Sequence, residues 1–155
     1  MVTVAVVDDG AGFEDALAVR RRVFVDGQGV DPDLEVDDHE DKATHFVAYE
    51  GGEPVGVARL REYDPGEYEG PASREHDEPV AKIERMAVIE AHRGEGVGRR
   101  VLEAVEARAR ERGFERARLH GQIRSAGFYE ALGYERVGEE FEEAGIPHVA
   151  MEKAL

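Results

Sequence analysis

The sequence predicts an α/β protein, one domain over residues 1–155 with a mixed, mostly antiparallel central sheet and helices on both faces. A strand, a glycine-rich turn and a helix follow one another between Val80 and Arg112. A strand, a helix and two more strands precede this unit, and three short strands and another helix follow it. This order of elements suits helices packed on a mixed sheet. The chain has 155 residues, which is enough for one domain with its own core, and it contains no internal repeat or linker.

Composition restricts the partners of this domain. The 35 acidic residues outnumber the 20 basic ones, and the net charge of −15 disfavours nucleic acid and anionic membranes as partners. Cysteine is absent, which excludes disulfides and an acyl-cysteine intermediate. Because the sequence shows no signal peptide and no apolar run of membrane length, we expect a soluble, cytoplasmic protein. The acidic residues are spread along the chain, which favours a salt-adapted, halophilic-type surface over recognition of a cationic acceptor.

The N-terminal part predicts a strand, a helix and an acidic loop. Val2–Val7 is rich in β-branched residues and is predicted to be a strand, and a helical period then runs to about Val25. The stretch Gly27–Lys42 has no convincing period and is rich in acids. Its histidine, His39, makes a metal site conceivable. A solvated acidic loop is favoured, because metal-binding loops need a defined turn and ligand order.

Two strands, Thr44–Glu50 and Pro54–Arg61, come next, and the Gly51-Gly52 pair between them is typical of a tight hairpin. The acidic stretch Glu62–Pro79 is too long for a simple connection, and loops of that length are usually functional or mobile. The elements predicted after the central unit are a strand, a helix and two closing strands, at Arg116–His120, Ser125–Leu132, Tyr134–Val137 and Pro147–Glu152.

The central unit consists of a strand at Lys82–Val88, a turn at Arg93–Gly98 and a helix at Arg99–Arg112. Glycines at 94, 96 and 98 would let backbone amides approach a ligand closely, and the N-terminus of the helix favours a phosphate. A P-loop is excluded because arginines follow Gly98, and a dinucleotide fingerprint because its third glycine is missing. The alternative is an ordinary turn that needs glycine for its dihedral angles.

The turn and a later block resemble one known family. Arg93-x-x-Gly96-x-Gly98, after a strand that ends Met86-Ala87-Val88, is similar to the acetyl-coenzyme A (acetyl-CoA) motif of the GCN5-related N-acetyltransferases, GNAT. The sequence Phe-Tyr-x-x-Leu-Gly-Tyr within Ala126–Tyr134 resembles a second motif of that family. The order of the predicted elements matches the family except for one of its two N-terminal helices, which the acidic stretch Gly27–Lys42 is expected to contain.

Two further stretches, Arg20–Asp41 and Gly145–Met151, resemble the ElaA/YjcF-like branch of the family. This sequence departs from the branch at Gly27, where glutamate is frequent, and at Gly121, where alanine is usual. The first departure puts any role for an acid at position 27 in doubt, and the second is expected to be harmless. The resemblance covers nearly the whole chain.

The resemblance implies acetyl-CoA as the acyl donor and no metal. The pyrophosphate would lie on the turn, for which the implied binding residues are Arg93, Gly94, Glu95, Gly96, Val97, Gly98 and Arg99. The pantetheine arm would pair with the backbone of Met86, Ala87 and Val88. Tyr129 matches the family's tyrosine that protonates the departing thiolate. Its alternative role is a half-buried tyrosine that packs a helix onto the sheet.

Four other side chains are candidates for the acceptor side. Glu84 is a candidate base, acting directly or through water, and its alternative role is an ion pair with Arg85 or Lys82. A histidine in a strand is more often a hydrogen-bonded structural residue than a ligand-binding one. Since the predicted strands carry three, we expect at least one to face the site; these are His45, His120 and His148.

The sequence therefore predicts an N-acetyltransferase that moves an acetyl group from acetyl-CoA to a primary amine by direct transfer in a ternary complex. The alternative is an acyl-CoA binding or sensing module without turnover. The residues do not specify the amine, which is a small molecule or a protein, and they are compatible with a homodimer formed through the last strands.

Overall fold

A computed structural model describes residues 2–65, 67, 68 and 79–155, so most of the predicted acidic loop Glu62–Pro79 lies outside the described residues. The chain divides into two compact units. Unit 1 comprises Met1–Leu60 and Arg85–Val105, and unit 2 comprises Arg61–Glu84 and Glu106–Leu155. No helix in the described ranges is both long enough and apolar enough to cross a bilayer.

The described residues form seven strands in one sheet, in the order β1-β2-β3-β4-β5-β7-β6. Their bounds are β1 Val2–Val6, β2 Thr44–Glu50, β3 Glu53–Tyr63, β4 Val80–Val88, β5 Arg116–Gln122, β6 Glu135–Glu143 and β7 Ile146–Ala154. Strands β4 and β5 run parallel, whereas β1 with β2, β2 with β3, β5 with β7 and β6 with β7 run antiparallel. The predicted mixed, mostly antiparallel sheet is confirmed.

Four α-helices lie in the described residues: α1 Gly10–Arg20, α2 Pro32–Glu35, α3 Val97–Glu111 and α4 Ala126–Ala131. Helix α1 continues into a wider, π-helical turn at Arg21–Asp26, which explains why the helical period of the sequence extends to about residue 25. Helix α3 begins at Val97, two residues before the predicted start. The short helix α2 lies within the acidic stretch Gly27–Lys42, where the missing N-terminal helix is expected.

In unit 1, a glycine in β3 fixes the start of α3. A Cβ atom at Gly56 would lie 2.9 Å from Cγ1 of Val97, closer than real Cβ contacts, so the first residue of α3 packs directly on the strand backbone. Val97 and the next apolar residue on that face, Val101, are fully buried, as the spacing of the helix predicts. The start of α3, and with it the glycine turn, is therefore held against β3.

The acidic stretch of unit 1 corrects a prediction, because three of its acids are bound to arginines and two of these, Glu35 and Glu40, are buried. They form an arginine cluster, which we define as Arg20, Arg59 and Arg85 with Glu35, Asp37 and Glu40. Arg20 is fully buried and bonds Oε1 of Glu35 at 2.5 Å and Oε2 of Glu40 at 2.7 Å. Arg59 bonds Glu40 at 2.9 Å and Asp37 at 2.8 Å. Buried guanidinium groups therefore hold this stretch in place, and the solvated-loop prediction is wrong for Glu35 and Glu40.

In unit 2, one face of the sheet is apolar and the other is polar. Gly121 of β5 faces α4, because a Cβ atom there would lie 3.2 Å from both the Tyr129 ring and the Met151 sulfur. Since side chains alternate along a strand, His120 points to the opposite face. The register places Lys82 beside Arg118, and Arg118 beside Glu152, so these three side chains occupy the polar face together with His120.

Candidate active site

The glycine turn of unit 1 presents free backbone at the start of α3. Gly94 and Gly96 have φ values of 80° and 82°, a left-handed conformation that favours glycine, and open space surrounds the position of a Cβ atom at each. The first helical hydrogen bond runs from the Arg100 amide to the Gly96 carbonyl, at 3.2 Å. The amides of the first helical turn have no partner within a helix, and such amides can bind an anion. Gly98 lies inside α3, so it contributes small size rather than an unusual dihedral angle.

Two exposed arginines flank this turn. The Nε atom of Arg93 donates a 3.0 Å hydrogen bond to the carbonyl of Val88, which ties the turn to the end of β4. Arg99 forms an ion pair with Glu103 one helical turn away, at 2.8 Å. Both guanidinium groups add positive charge where the helix N-terminus is already electropositive. The turn can therefore accept a phosphate with backbone donors and side-chain cations.

Strand β4 contains one left-handed residue just before the stretch predicted to bind pantetheine. Arg85 has a φ of 52°, a strained conformation for a residue other than glycine, and it separates Glu84 from Met86. The Arg85 guanidinium donates to the carbonyls of Leu34 and Glu35 at 3.2 Å and 3.0 Å. The hydrogen bonds of the Arg85 side chain therefore help to hold the Arg85 backbone in this strained conformation. Sequence reasoning missed this role, because nothing in a run of strand-forming residues marks one positive φ.

Tyr129 in α4 is nearly buried and packs by its ring. It has 8% of its surface exposed and makes edge-to-face contacts with Phe128 and Tyr134. Burial raises the pKa of Tyr129 to about 12. Among the residues that the structure describes, none is a hydrogen-bond partner of the Tyr129 hydroxyl. Tyr134 differs, since its hydroxyl donates to Glu106 at 2.8 Å. The ring of Tyr129 therefore has a packing role.

Glu84 is ion-paired within its own strand. Its Oε1 atom accepts a 2.9 Å hydrogen bond from Nζ of Lys82 and lies 4.0 Å from Nη1 of Arg61. Of the two ion pairs that the sequence left open, the structure forms the one with Lys82, because Arg85 turns toward Glu35 and Asp37. A carboxylate that accepts from an ammonium group is a weaker base, so the pair argues against Glu84 acting alone.

The three histidines have different environments. His45 lies in unit 1, where it is buried, contacts the ring of Phe13 and bonds the Glu40 carbonyl through Nε2 at 3.0 Å. It is a structural residue, as most strand histidines are. His120 and His148 lie in unit 2, on β5 and β7, and both approach the carboxylate of Glu143.

A histidine network, which we define as Tyr68, His120 and Glu143, occupies the polar face of unit 2. Nε2 of His120 lies 2.9 Å from the Tyr68 hydroxyl, and Nδ1 lies 3.0 Å from Oε1 of Glu143. Burial lowers the pKa of His120, and the hydrogen bond that its Nδ1 donates to Glu143 opposes that shift. The aromatic ring of Phe141 contacts the rings of His120 and His148. The sequence did not indicate Tyr68 or Glu143, because they are brought to His120 by different segments of the chain.

The predicted site residues thus fall into two groups. The turn residues Arg93, Gly94, Glu95, Gly96, Val97, Gly98 and Arg99, and the strand residues Met86, Ala87 and Val88, belong to unit 1. Glu84 and Tyr129, with the histidine network, belong to unit 2. Within unit 2, Tyr129 packs on the face of β5 opposite to His120.

Residues 23–155 match the model of the acetyltransferase (GNAT) domain. The chain belongs to the GNAT acetyltransferase family. This GNAT domain is 36% identical to the Bacillus subtilis protein YjcF, named as an uncharacterized N-acetyltransferase, and the match covers 91% of each chain. The crystal structure of Escherichia coli ElaA superposes with a TM-score of 0.79 at 25% identity and covers 99% of both chains. The predicted resemblance to the ElaA/YjcF-like branch is confirmed.

A more distant GNAT structure shares the fold. The acetyltransferase from Elizabethkingia anophelis, whose structure has acetyl-CoA bound, superposes with a TM-score of 0.68 at 17% identity. It covers 99% of this chain and 98% of its own. The α/β fold class and the N-acetyltransferase class that the sequence predicts are those of the GNAT family.

Proposed function

We propose that this GNAT domain transfers an acetyl group from acetyl-CoA to a primary amine by direct transfer in a ternary complex. The observation that carries the proposal is the turn of unit 1, in which two left-handed glycines open α3 directly after β4. Open space at Gly94 and Gly96 fits the close approach of a phosphate to the backbone. The acetyl-CoA bound to the Elizabethkingia anophelis relative supports the choice of donor.

In this proposal the chain holds the donor at two places. The amides of the turn, with Arg93 and Arg99, receive the pyrophosphate. The backbone of Met86, Ala87 and Val88 pairs with the pantetheine arm and polarises the thioester carbonyl. The donor supplies a thioester, which an uncharged amine attacks once the two are aligned. The parallel register of β4 with β5 ends at Ile83, and the left-handed residue Arg85 follows, which is consistent with main-chain groups turned toward a ligand.

Two side chains of unit 2 are proposed to handle protons. Tyr129 protonates the departing thiolate, and its raised pKa of about 12 keeps the hydroxyl protonated at neutral pH. Burial that disfavours a phenolate also disfavours a free thiolate, so the transfer is not opposed as strongly as in water. Glu84 is proposed to assist deprotonation of the amine through water, since Lys82 already occupies one of its oxygens.

The turn is tested with two substitutions at one position. Gly96→Glu and Gly96→Asn both place a side chain at a φ of 82°, but only the first adds a negative charge. We expect Gly96→Glu to abolish acetyl-CoA binding in calorimetry, because the carboxylate would oppose the pyrophosphate. Gly96→Asn should keep measurable binding, since asparagine tolerates the left-handed region. Equal affinity in Gly96→Glu and the wild type would contradict the assignment of the turn.

Turnover is tested separately by thiol release with a panel of amines: spermidine, glucosamine, L-lysine and a lysine-containing peptide. Release that depends on both acetyl-CoA and an amine supports transfer. Binding of acetyl-CoA without release for any amine would instead support the acyl-CoA binding or sensing module.

A further inference from the structure

Arg85 is the strained residue of β4. In the described part of the chain, two residues other than glycine have a positive φ, Arg85 at 52° and Ala144 at 51°. Ala144 lies in the tight turn between β6 and β7, where this conformation is common. Arg85 lies inside a strand, where the backbone is normally extended. Because such a conformation persists only where the surrounding structure holds it, the contacts of Arg85 identify its support.

The Arg85 side chain rests on the end of α2. Its Nε and Nη2 atoms donate to two successive carbonyls, that of Glu35 at 3.0 Å and that of Leu34 at 3.2 Å. The last carbonyls of a helix have no donor within the helix, and a planar guanidinium can reach two acceptors at once. Nη2 also lies 3.4 Å from Oδ2 of Asp37. The guanidinium therefore has a defined position on α2.

This end of α2 is itself anchored in the core of unit 1. The Glu35 carbonyl accepts a second hydrogen bond, at 2.8 Å, from Nη2 of Arg20. Arg20 is fully buried, and Glu40 accepts from both of its terminal nitrogens. A carbonyl oxygen has two lone pairs, so Arg20 and Arg85 together saturate the Glu35 carbonyl. A continuous path of hydrogen bonds thus leads from a buried arginine to the strained residue.

The strained residue directly precedes the segment Met86–Val88. The parallel register of β4 with β5 ends at Ile83, two residues before Arg85. Directions alternate along a regular strand, and one left-handed residue changes the direction in which the groups after it point. The φ of Arg85 therefore determines where the amides and carbonyls of Met86–Val88 point.

We propose that Arg85 is a positioning residue for the acyl donor: its guanidinium, held on α2, maintains the backbone conformation that directs the main-chain groups of Met86–Val88 toward the pantetheine arm. The inference rests on the proposed function, in which this segment pairs with that arm. Arg85 acts through the strand and not by contact with the donor. The arginine cluster then has a function beyond stability, because Arg20 and Glu40 fix the support on which Arg85 rests.

The test compares two substitutions that both remove the guanidinium. Arg85→Ala leaves a residue that avoids the left-handed region, whereas Arg85→Gly leaves one that adopts it freely. We expect Arg85→Ala to weaken acetyl-CoA binding in calorimetry by about 10-fold, the order of the cost of this conformation for a residue with a Cβ atom. Arg85→Gly should stay within about threefold of the wild type. Arg22→Ala, which removes an exposed arginine of unit 1, is the control for the loss of one positive charge.

ADP separates the strand from the turn in the same experiment. It carries a pyrophosphate but no pantetheine arm, so its affinity should be equal in the wild type, Arg85→Ala and Arg85→Gly. If Arg85→Ala does not fold, Arg85→Lys takes its place, since lysine keeps the charge but lacks the planar fork. Arg85→Lys should then bind acetyl-CoA more weakly than Arg85→Gly does.

Steady-state kinetics give a second readout, with the amine of the panel that releases thiol fastest. Arg85→Ala should raise KM for acetyl-CoA by the same factor as the dissociation constant and leave KM for the amine near its wild-type value. A raised KM for the amine at an unchanged KM for acetyl-CoA would overturn the assignment.

The outcomes distinguish this inference from the proposed function. If the wild type binds acetyl-CoA no more tightly than ADP, the pairing of Met86–Val88 with the pantetheine arm is wrong, and the role of Arg85 fails with it. If the wild type prefers acetyl-CoA and Arg85→Ala binds it equally well, only the role of Arg85 is wrong, and a lower melting temperature would then assign the residue to the fold alone. Equal losses of affinity in Arg85→Ala and Arg85→Gly would also overturn the role, because the backbone angle would not be what matters.

Discussion

The arginine cluster of unit 1 and the histidine network of unit 2 are both built from charged and polar side chains, yet they differ in what they can do. In the arginine cluster, the guanidinium groups of Arg20 and Arg59 donate to carboxylates at 2.5–3.1 Å. In the histidine network, one imidazole lies between a phenol and a carboxylate. The first is saturated with fixed charges, and the second contains a group that can change its charge near neutral pH.

The acids of the two regions show the same contrast. Despite burial, the hydrogen bonds and charges of the arginines lower the pKa of Glu40 and of Asp37 to about 2. These acids therefore stay ionised at neutral and mildly acidic pH. Burial instead lowers the pKa of His120, which favours its neutral form. A buried charged cluster is not by itself a sign of a catalytic site; a group that can exchange a proton in its working range is the better indicator.

The largest expected effect comes from opening the arginine cluster at Glu40, which bonds both Arg20 and Arg59. Glu40→Gln leaves buried guanidinium charge uncompensated, and breaking a buried pair in this way costs about 3–5 kcal/mol. We expect that loss in the free energy of unfolding by urea. Asp41→Asn is the matched control on the same turn, because Asp41 is exposed. A loss no larger than that of the control would show that the cluster contributes little to stability.

Acid unfolding gives a second readout on the same variant. The pKa of Glu40 is lowered from 4.5 to about 2 in the folded protein, so its stabilising contribution is complete above 4.5 and is lost as pH falls toward 2. The wild type should lose stability across that window, and Glu40→Gln should lose less. If the free energy of unfolding falls equally with pH in the wild type and in Glu40→Gln, the proposed pairing of Glu40 with the arginines is contradicted.

A smaller effect is expected at Tyr129, which lies in unit 2 but outside the histidine network. Tyr129→Phe should lower kcat by about 10²-fold, which corresponds to about 2.7 kcal/mol in the activation barrier. Melting temperature and acetyl-CoA affinity should change little, because the hydroxyl loses no bond to any described residue and the ring is retained.

Tyr134→Phe is the matched control for Tyr129→Phe. It removes a buried hydrogen bond to Glu106, so it should cost about 1 kcal/mol of stability and leave the rate nearly unchanged. If Tyr129→Phe instead lowers the melting temperature and keeps kcat, the residue packs the helix and takes no part in the chemistry.

The sequence predicted the parts of this molecule that depend on neighbouring residues. The apolar spacing of α3, the glycine hairpin at Gly51-Gly52 and the turn with Gly94 and Gly96 are local patterns, and the structure has all three. Side-chain pairings between distant segments could not be predicted. Tyr68 and His120 are 52 residues apart, and Arg20 meets Glu40 across 20. The sequence therefore predicts a solvated loop for the acids of Gly27–Lys42, because no local pattern shows that buried arginines bind some of them.

The smallest expected effect concerns salt, which should distinguish the surface of the protein from its buried clusters. With a net charge of −15, repulsion between exposed carboxylates opposes folding at low ionic strength. Potassium chloride shortens the Debye length from about 30 Å at 0.01 M to about 3 Å at 1 M, so this repulsion should be relieved. We expect the free energy of unfolding to rise by about 1 kcal/mol, or the melting temperature by about 2–4 °C for a protein of this size.

Buried ion pairs are screened much less, so the difference in stability between the wild type and Glu40→Gln should stay nearly constant across the salt series. A wild-type melting temperature that is flat or falls with salt would contradict adaptation of the acidic surface, and a difference that closes with salt would place the arginine cluster among the solvent-screened charges.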